Sequence, residues 1–307
     1  MGKVLVTGGA GFIGSHLVEK LLERRYQVIV LDDLIKGKME NLAKVGQQIQ
    51  FIQADIREEN TIKNALNGVN RVVHLAALVS VQESVEKPSL YYEVNTTSSL
   101  NLLQWSADAG VERFVYISSC AVYGDPKTSP ISETHPLNPL SPYASSKMMA
   151  EGYCRMFSKQ KTLSTAVLRL FNVYGPRQGY GQYSGVITQF MNRITQNQPP
   201  TIYDDGTQTR DFIYVEDVVE YIIRALETDT EEIFNIGSGR LTTINDLAEL
   251  MLKIMGKTEL KPVHLPARKG DIRLSRADIS KAEKILGYTP KTGLEEGLRK
   301  TLEKHET

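Results

Sequence analysis

A glycine-rich turn between an apolar run and an amphipathic pattern restricts the fold more than any other part of this sequence. Lys3-Val4-Leu5-Val6-Thr7 reads as a buried strand, Gly8-Gly9-Ala10-Gly11-Phe12-Ile13-Gly14 as the turn, and Phe12 to Leu22 as a helix. Glycines at 8, 11 and 14 permit a tight turn and close backbone approach, and N–H groups at the helix start can then hold a pyrophosphate. A ligand-free glycine turn would use the same residues; the strand before it and the helix after it favour a dinucleotide. The spacing, Gly8-x-x-Gly11-x-x-Gly14, is one residue longer at the front than the common fingerprint.

The following sequence keeps that rhythm. Strand patterns recur at Gln27–Leu31, Ile49–Ile52, Arg71–Leu75 and Phe114–Ile117, with helical patterns between them, notably Asn60–Leu66 and Ser89–Ala109. Alternating strands and helices imply βαβ units and a parallel sheet covered on both faces. After about residue 170 the rhythm breaks, and helices resume at Val215–Leu226, Ile244–Met255, Ile279–Leu286 and Gly293–Glu303. The expected fold is α/β: a doubly wound parallel sheet (Rossmann-type) over 1–170 with a smaller C-terminal α/β substrate lobe over 171–307. The boundary is expected to be interleaved, with a strand and helix near 211–238 returning to the first domain, because Glu232–Ile236 looks like one more buried strand.

Charge and cysteine content narrow the function. Lys+Arg and Asp+Glu balance at 36 each, which argues against nucleic-acid coating or a membrane-surface role. Cys120 and Cys154 are too few for a disulfide framework and lack metal-ligand spacing, so no metal site is expected and a reduced, cytoplasmic setting fits. The N-terminus does not read as a signal peptide, and no apolar run is long enough to span a bilayer.

Asp32 ends the second strand about twenty residues beyond the glycines, where a carboxylate can bind ribose hydroxyls and would repel a 2′-phosphate. That favours NAD over NADP, although Lys36 and Lys38 stand nearby; a turn cap is the plainer role. Asp55 follows the third strand, as an adenine contact or as the N-cap of the next helix. Tyr143 and Lys147 are four residues apart in a helix opened by Ser141-Pro142, which would place an ammonium beside a phenol. A cation there favours the phenolate, so Tyr143 could act as a base near neutral pH. Tyr–Lys pairs at this spacing are commonly just a solvated helix face; position after the fifth strand distinguishes this one. Ser118-Ser119 closes that strand, either to hydrogen-bond a reacting hydroxyl or to cap the strand end.

Together with His74-Leu75-Ala76-Ala77, Ser118-Ser119-Cys120-Ala121-Val122-Tyr123-Gly124, Arg169-Leu170-Phe171-Asn172-Val173-Tyr174-Gly175-Pro176-Arg177, Thr209–Asp217 and Arg268-Lys269-Gly270-Asp271, these motifs make the chain similar to the extended short-chain dehydrogenase/reductase family. Within it, the chain most resembles the NAD-dependent epimerase/dehydratase group and its UDP-glucose 4-epimerase branch. The resemblance spans nearly the whole chain. It implies Ser119, Tyr143 and Lys147 as catalytic residues. It implies NAD contacts at Gly8, Gly11, Phe12, Ile13, Gly14, Asp32, Asp33, Asp55, Ile56, Leu75, Ala76, Ala77 and Asn95, as well as at Tyr143 and Lys147. Ser119, Asn172, Arg210 and Arg268 would hold the UDP-sugar, Tyr203 would pack on the uracil, and Ser275 would border the sugar C2 substituent. Asp204 stands where the resemblance leads one to expect glycine.

The implied reaction is 4-epimerisation of a UDP-hexose through a transient 4-keto sugar, with tightly bound NAD. Related dehydratases carry Asp-Glu where this chain has Cys120-Ala121, and decarboxylases carry Glu at the second position. Related 3,5-epimerases use a Cys at position 120 but pair it with a later His or Lys, absent here after Pro176. Cys120 then reads as a packing residue, with catalysis by it the alternative. Serine at 275 leaves room for an N-acetyl group. Non-catalytic dinucleotide sensors of this fold tend to lose the tyrosine or the lysine, and this chain keeps both. A homodimer through the Ser89–Ala109 and Tyr143–Met156 helices is what the resemblance implies, though core packing accounts for their apolar residues as well.

Overall fold

The computed structural model describes residues 2–160, 162–179, 185–267 and 272–303. In chain order the strands are β1 (Lys3–Thr7), β2 (Gln27–Asp32), β3 (Gln50–Gln53), β4 (Arg71–His74), β5 (Arg113–Ser119), β6 (Ser164–Leu170), β7 (Asn172–Tyr174), β8 (Thr201–Tyr203), β9 (Thr209–Arg210), β10 (Phe212–Tyr214), β11 (Ile233–Ile236), β12 (Thr242–Thr243) and β13 (Val263–Leu265). The helices are α1 (Phe12–Glu23), α2 (Glu59–Ala65), α3 (Val81–Glu86), α4 (Pro88–Tyr92), α5 (Ser98–Asp108), α6 (Pro142–Lys159), α7 (Val186–Thr195), α8 (Val215–Glu227), α9 (Ile244–Ile254), α10 (Ser280–Leu286) and α11 (Leu294–Glu303).

Seven strands form one parallel sheet in the order β11-β6-β5-β4-β1-β2-β3. Side chains alternate between its faces, and both faces are dry. Val4 and Val6 of β1 join Leu17, Val18 and Leu21 of α1 and Val218 and Ile222 of α8 on one face. Leu5, between them in sequence, joins Ile62 of α2, Leu102 and Leu103 of α5 and Phe157 of α6 on the other. This is the doubly wound architecture expected from the sequence. Truncating any one of these fully buried leucines to alanine would cost about 2–5 kcal/mol. The strand order reverses between β1 and β4, and ligands of such sheets bind in the crevice at that reversal, outside the strands' carboxyl ends.

The chain crosses between the two parts more than once. β11 pairs with β6 at the edge of the main sheet, with Ile236 opposite Leu170, and α8 packs beside α1. Arg113 ties β5 to the end of α8: its guanidinium donates to the Ala225 carbonyl at 2.7 and 3.0 Å, to Ser164 Oγ at 2.7 Å and to the Thr230 carbonyl. Among the described residues the C-terminal lobe has no large sheet. Three two-stranded ladders, β7 with β10, β9 with β12 and β8 with β13, frame a core of Ile187 and Phe190 from α7, Ile202, Tyr214, Leu247 and Met251 from α9, and Leu298 from α11.

Two features differ from the sequence pattern. The segment 89–109 is helical without a break but not α-helical throughout: α4 passes through a wide π turn at Glu93–Thr97 before α5 begins. Ser98 Oγ bonds back to the Glu93 carbonyl (3.0 Å) and Ser99 Oγ to the Asn95 carbonyl (2.6 Å), so hydroxyls support the widened turn that holds Asn95 inward. β6 and α7 are further elements that the strand and helix patterns leave unmarked. β6 carries a buried Arg169 among its apolar residues, which breaks the expected profile of a central strand.

Candidate active site

The glycine turn sits at the sheet's reversal point. Gly8 has φ +70°, and a Cβ there would stand 2.8 Å from the Ala76 nitrogen after β4. A Cβ on Gly14 would stand 2.7 Å from Gly9 Cα. Any larger residue at either place would push backbone apart, so glycine is required by contact at both and by conformation at Gly8. α1 starts at Gly11 without a side-chain cap, which leaves its first-turn N–H groups for a ligand, and an anionic pyrophosphate suits that end of the helix dipole.

Asp32 is buried beside this turn. Its carboxylate accepts from Ala10 N and Leu34 N, both at 2.9 Å. Burial raises its pKa, and those two N–H bonds oppose the rise. Each oxygen keeps lone pairs for ribose hydroxyls while holding the turn. The next residues fold over the turn, with Lys38 N and Asn41 Nδ2 both donating to the Ala10 carbonyl. Asp33 is exposed and accepts from Ile35 N, and Lys36 acts on Glu83 of α3. Asp55 does not cap α2, whose N-cap is Glu58. Asp55 instead accepts from Arg57 N and pairs with the Arg57 guanidinium at 2.6 Å, which lowers its pKa. Ile56 is buried next to it.

Leu75, Ala76 and Ala77 form the facing wall, held by a directional chain of hydrogen bonds. Ala76 N donates to Thr7 Oγ1, which donates to His74 Nδ1 at 2.7 Å; His74 Nε2 donates to Ser99 Oγ at 2.9 Å, and Ser99 donates onward to the Asn95 carbonyl. The tautomer is assigned from these partners. Burial and the Lys147 charge push His74 down to about 3, so the ring is neutral. The Asn95 carboxamide is occupied within the protein: it bonds the backbone N–H and carbonyl of Leu78 and donates to Ser146 Oγ, while Ser146 donates to the Tyr143 carbonyl. It positions the wall behind the cleft.

Ser119, Tyr143 and Lys147 meet at the carboxyl end of β5. Ser141 caps α6 by accepting from Ala144 N, and Pro142 opens the helix, so Tyr143 and Lys147 share a face. The Ser119 hydroxyl stands close enough to the Tyr143 phenol to lower its pKa, and it accepts from Ala121 N at 3.2 Å. Two details correct the sequence expectation. Lys147 Nζ donates to the Ile117 carbonyl at 2.9 Å and lies 5.0 Å from the Tyr116 ring centre, rather than beside the phenol. Burial, opposed by the Ser119 hydrogen bond, pushes Tyr143 up to about 12. The ammonium takes the nearest fixed acceptor because a buried cation without one is costly. Burial also lowers Lys147 to about 8, against an upward pull from Glu151.

Glu151 has no role in the sequence motifs, yet it lies at the centre of a buried polar cluster. It accepts from Ser118 Oγ at 2.5 Å and from Arg169 of β6 at 2.6 and 3.0 Å, in a pair buried on both sides. Arg169 also donates to Tyr123 Oη, which donates to Asn235 Oδ1. Two signals pointed here: a carboxylate one turn after Lys147, and an arginine inside an apolar strand.

From the C-terminal lobe, Arg210 reaches the same place. It lies close enough to act on Cys120, the residue after Ser119, and donates to the Thr209 and Ile272 carbonyls. Cys120 packs against Val122, Tyr123, Ile131, Phe171 and Ala277, and burial pushes its thiol up to about 12, a protonated packing residue. Asn172 opens β7 opposite Phe212. Tyr203 ends β8 opposite Leu265 of β13, and Ser275 is buried in the segment after β13. Asp204 has φ +64°, so the position where glycine was expected does need the left-handed region, and an aspartate fills it. Arg268 lies outside the described residues. Asp211, unassigned by the sequence, locks the lobe: its buried carboxylate accepts from Ser238 N and Oγ, Gly239 N and Ala277 N at 2.6–3.0 Å.

Residues 4–237 match the NAD dependent epimerase/dehydratase family. The UDP-glucose 4-epimerase of Mycolicibacterium smegmatis is 37% identical over 306 residues, covering 98% of this chain and 97% of that protein. The crystal structure of UDP-glucose 4-epimerase with UDP-glucose from Thermotoga maritima shares 42% identity at a TM-score of 0.94, over 99% of this chain and 98% of that one. A UDP-N-acetylglucosamine 4-epimerase from Methanobrevibacter ruminantium, in complex with UDP-N-acetylmuramic acid, shares 36% identity at a TM-score of 0.95 with the same coverage.

Proposed function

The chain belongs to the NAD-dependent epimerase/dehydratase family, and we propose that within it the protein interconverts UDP-galactose and UDP-glucose by inversion at C4, and also accepts UDP-N-acetylhexosamines. The observation that carries this reading is the meeting of Ser119, Tyr143 and Lys147 at the carboxyl end of β5, beside the Gly8–Gly14 turn and Asp32.

NAD, when bound, supplies a hydride acceptor that returns the hydride to the other face of the sugar. Gly8, Gly11 and Gly14 would seat its pyrophosphate and Asp32 its adenosine ribose. Tyr143 takes the proton from the sugar O4, and Ser119 orients that hydroxyl. A phenol at about 12 lies five pH units above neutrality, and at about 1.4 kcal/mol per unit the gap is about 7 kcal/mol. Positive charge in the closed site has to supply it, and Lys147 is the ammonium on Tyr143's own helix face. Arg210 and Asn172 would hold the nucleotide and sugar, guanidinium being suited to a diphosphate. Tyr203 would stack on the uracil.

The sugar range rests on Ser275, a small buried side chain. The dehydratase and decarboxylase outcomes lose support because Ala121 offers no acid. The Cys120-dependent outcome loses support because its thiol is held protonated among apolar neighbours. A second copy of the chain is the proposed partner: α6 exposes Met149 and Met156, seven residues apart and so on one face. Light scattering should give twice the chain mass.

The test is incubation with UDP-galactose, without added NAD, followed through the anomeric proton signals by NMR. UDP-glucose should appear and approach an equilibrium mixture. No conversion, even with NAD added, would overturn the activity. Turnover of UDP-galactose but not of UDP-N-acetylglucosamine at high enzyme concentration would overturn the sugar range alone.

A further inference from the structure

We propose that Glu151 is a positioning residue for this reaction: a buried counter-ion, one helical turn behind Lys147, that keeps the ammonium charged while Ser118 and Arg169 fix the carboxylate. The proposal rests on the assignment of Tyr143 and Lys147 as the catalytic pair.

The placement is specific. Glu151 follows Lys147 by four residues on α6, so both side chains lie on one face of the helix, against the sheet. Its carboxylate is clamped from two strands, by the Ser118 hydroxyl of β5 and the Arg169 guanidinium of β6. Arg169 is itself held by Tyr123 Oη at 2.9 Å and the Glu133 carbonyl at 3.2 Å. The titratable groups around Lys147 are few. Tyr143, Glu151 and Cys154 come from its own helix, Tyr116 from β5 and neutral His74 from β4; Arg169 of β6 stands against Glu151. Cys154 is pushed up by burial and is uncharged at neutral pH. Lys147 therefore has one anion acting on it, Glu151.

The charge count gives this arrangement a purpose. Lys147 and Arg169 contribute two positive charges against Glu151, and the Glu133 carboxylate, which accepts from Asn235 N and acts on Tyr123, is a further anion on the Arg169 side. Glu151 thus serves two cations, and an ionised Tyr143 would be a second anion on Lys147's own helix face. Without Glu151, two buried cations would face each other, and Lys147 is the one able to lose its proton, since arginine does not do so in proteins. Lys147 would then lose its proton at a lower pH, and above that pH the phenolate would lose the ammonium on its own helix face. An ion pair with no other task could be replaced by apolar side chains at little cost.

Removing a negative charge lowers the pKa of every neighbour, cation or phenol alike. In Glu151→Gln, the alkaline limb of the kcat/KM profile, set by Lys147, should move down by on the order of one pH unit. The acid limb, set by Tyr143 once the positive charge of bound NAD and of Lys147 has brought it below Lys147, should move down as well. Glu151→Asp, which keeps the charge, should leave both limbs in place even if the rate falls. The double variant Glu151→Gln/Arg169→Met does not strand the Arg169 guanidinium, so it serves if the single variant does not fold, and its alkaline limb should also lie below wild type. Limbs that stay put in Glu151→Gln, or return to wild type in the double variant, would overturn the proposal and leave Glu151 as a partner of Arg169 only. Independently of activity, NMR of lysine-labelled wild-type protein should show the Lys147 ammonium charged at about pH 7; a neutral amine there would also overturn it. Absence of epimerisation in the wild type, by contrast, would refute the activity and leave this NMR titration standing.

Discussion

At the carboxyl end of the main sheet, the site is held by backbone contacts and by neighbours one strand or one helical turn away. Gly8 lies against Ala76, Asp32 against Ala10, and Lys147 against Ile117. In the C-terminal lobe the holding contacts are buried carboxylate clamps. Asp211 gathers N–H groups from residues 238, 239 and 277, and Asp217 gathers the Tyr288 hydroxyl and the backbone of Lys291 and Thr292. The first region needs a continuous parallel sheet to set its geometry. Among the described residues the second has only two-residue and three-residue ladders, and buried carboxylates hold it where a sheet does so elsewhere. The two regions are thus built on two kinds of support, one of which should fail locally and the other across the lobe.

Tyr143→Phe should give the largest effect and break the first region only. It is expected to lower kcat/KM by about 10²–10⁴-fold, while the denaturant unfolding midpoint stays at the wild-type value. A shift of that midpoint along with the rate would mean that the phenol is also structural.

Asp211→Asn should do the reverse. An amide offers one acceptor oxygen to four donors and places an NH₂ against N–H groups, so about 2–4 kcal/mol of stability should be lost. KM for the UDP-sugar should rise while NAD affinity, measured by calorimetry, is retained. Equal losses in both affinities would show that the two regions do not separate.

The next effect is in pH. The folded-state pKa of His74, about 3, lies below the ordinary 6.5. The unfolded chain binds a proton that the folded one refuses, so this contribution to stability is complete above about pH 6.5 and is lost as pH falls toward 3. The slope should approach about 1.4 kcal/mol per pH unit, and His74→Gln should flatten it in urea titrations between about pH 5 and 7. An unchanged slope would place the acid sensitivity elsewhere.

Asp204→Gly should be the smallest change, within about 1 kcal/mol of wild type. Relief of the left-handed strain is offset by the loss of an exposed ion pair with Arg273 and by chain entropy. A larger loss, read by thermal unfolding, would show that the Asp204 pair is a clamp of the Asp211 kind.

The same contrast governs what could be read in advance. The parallel sheet, the glycine turn and NAD were legible because each depends on residues close in sequence. The π turn before α5 was not, since it depends on Asn95 finding Leu78 and Ser146. Lys147 was correctly placed on Tyr143's face, but its Nζ turns to Ile117, a choice made by burial. Glu151 reads in sequence as a solvated i,i+4 partner; its meaning appears only when β6 brings Arg169 against it. Asp204 was the most informative mismatch. A glycine expected from resemblance turned out to be a conformational requirement that an aspartate can meet.

The most direct test uses UDP-galactose carrying deuterium at C4. If the hydride leaves C4 and returns to the same carbon within one closed site, the UDP-glucose formed must still carry deuterium at C4, and NMR will show no proton signal growing there. Deuterium lost to solvent during conversion would contradict internal hydride return and point to proton abstraction at carbon instead.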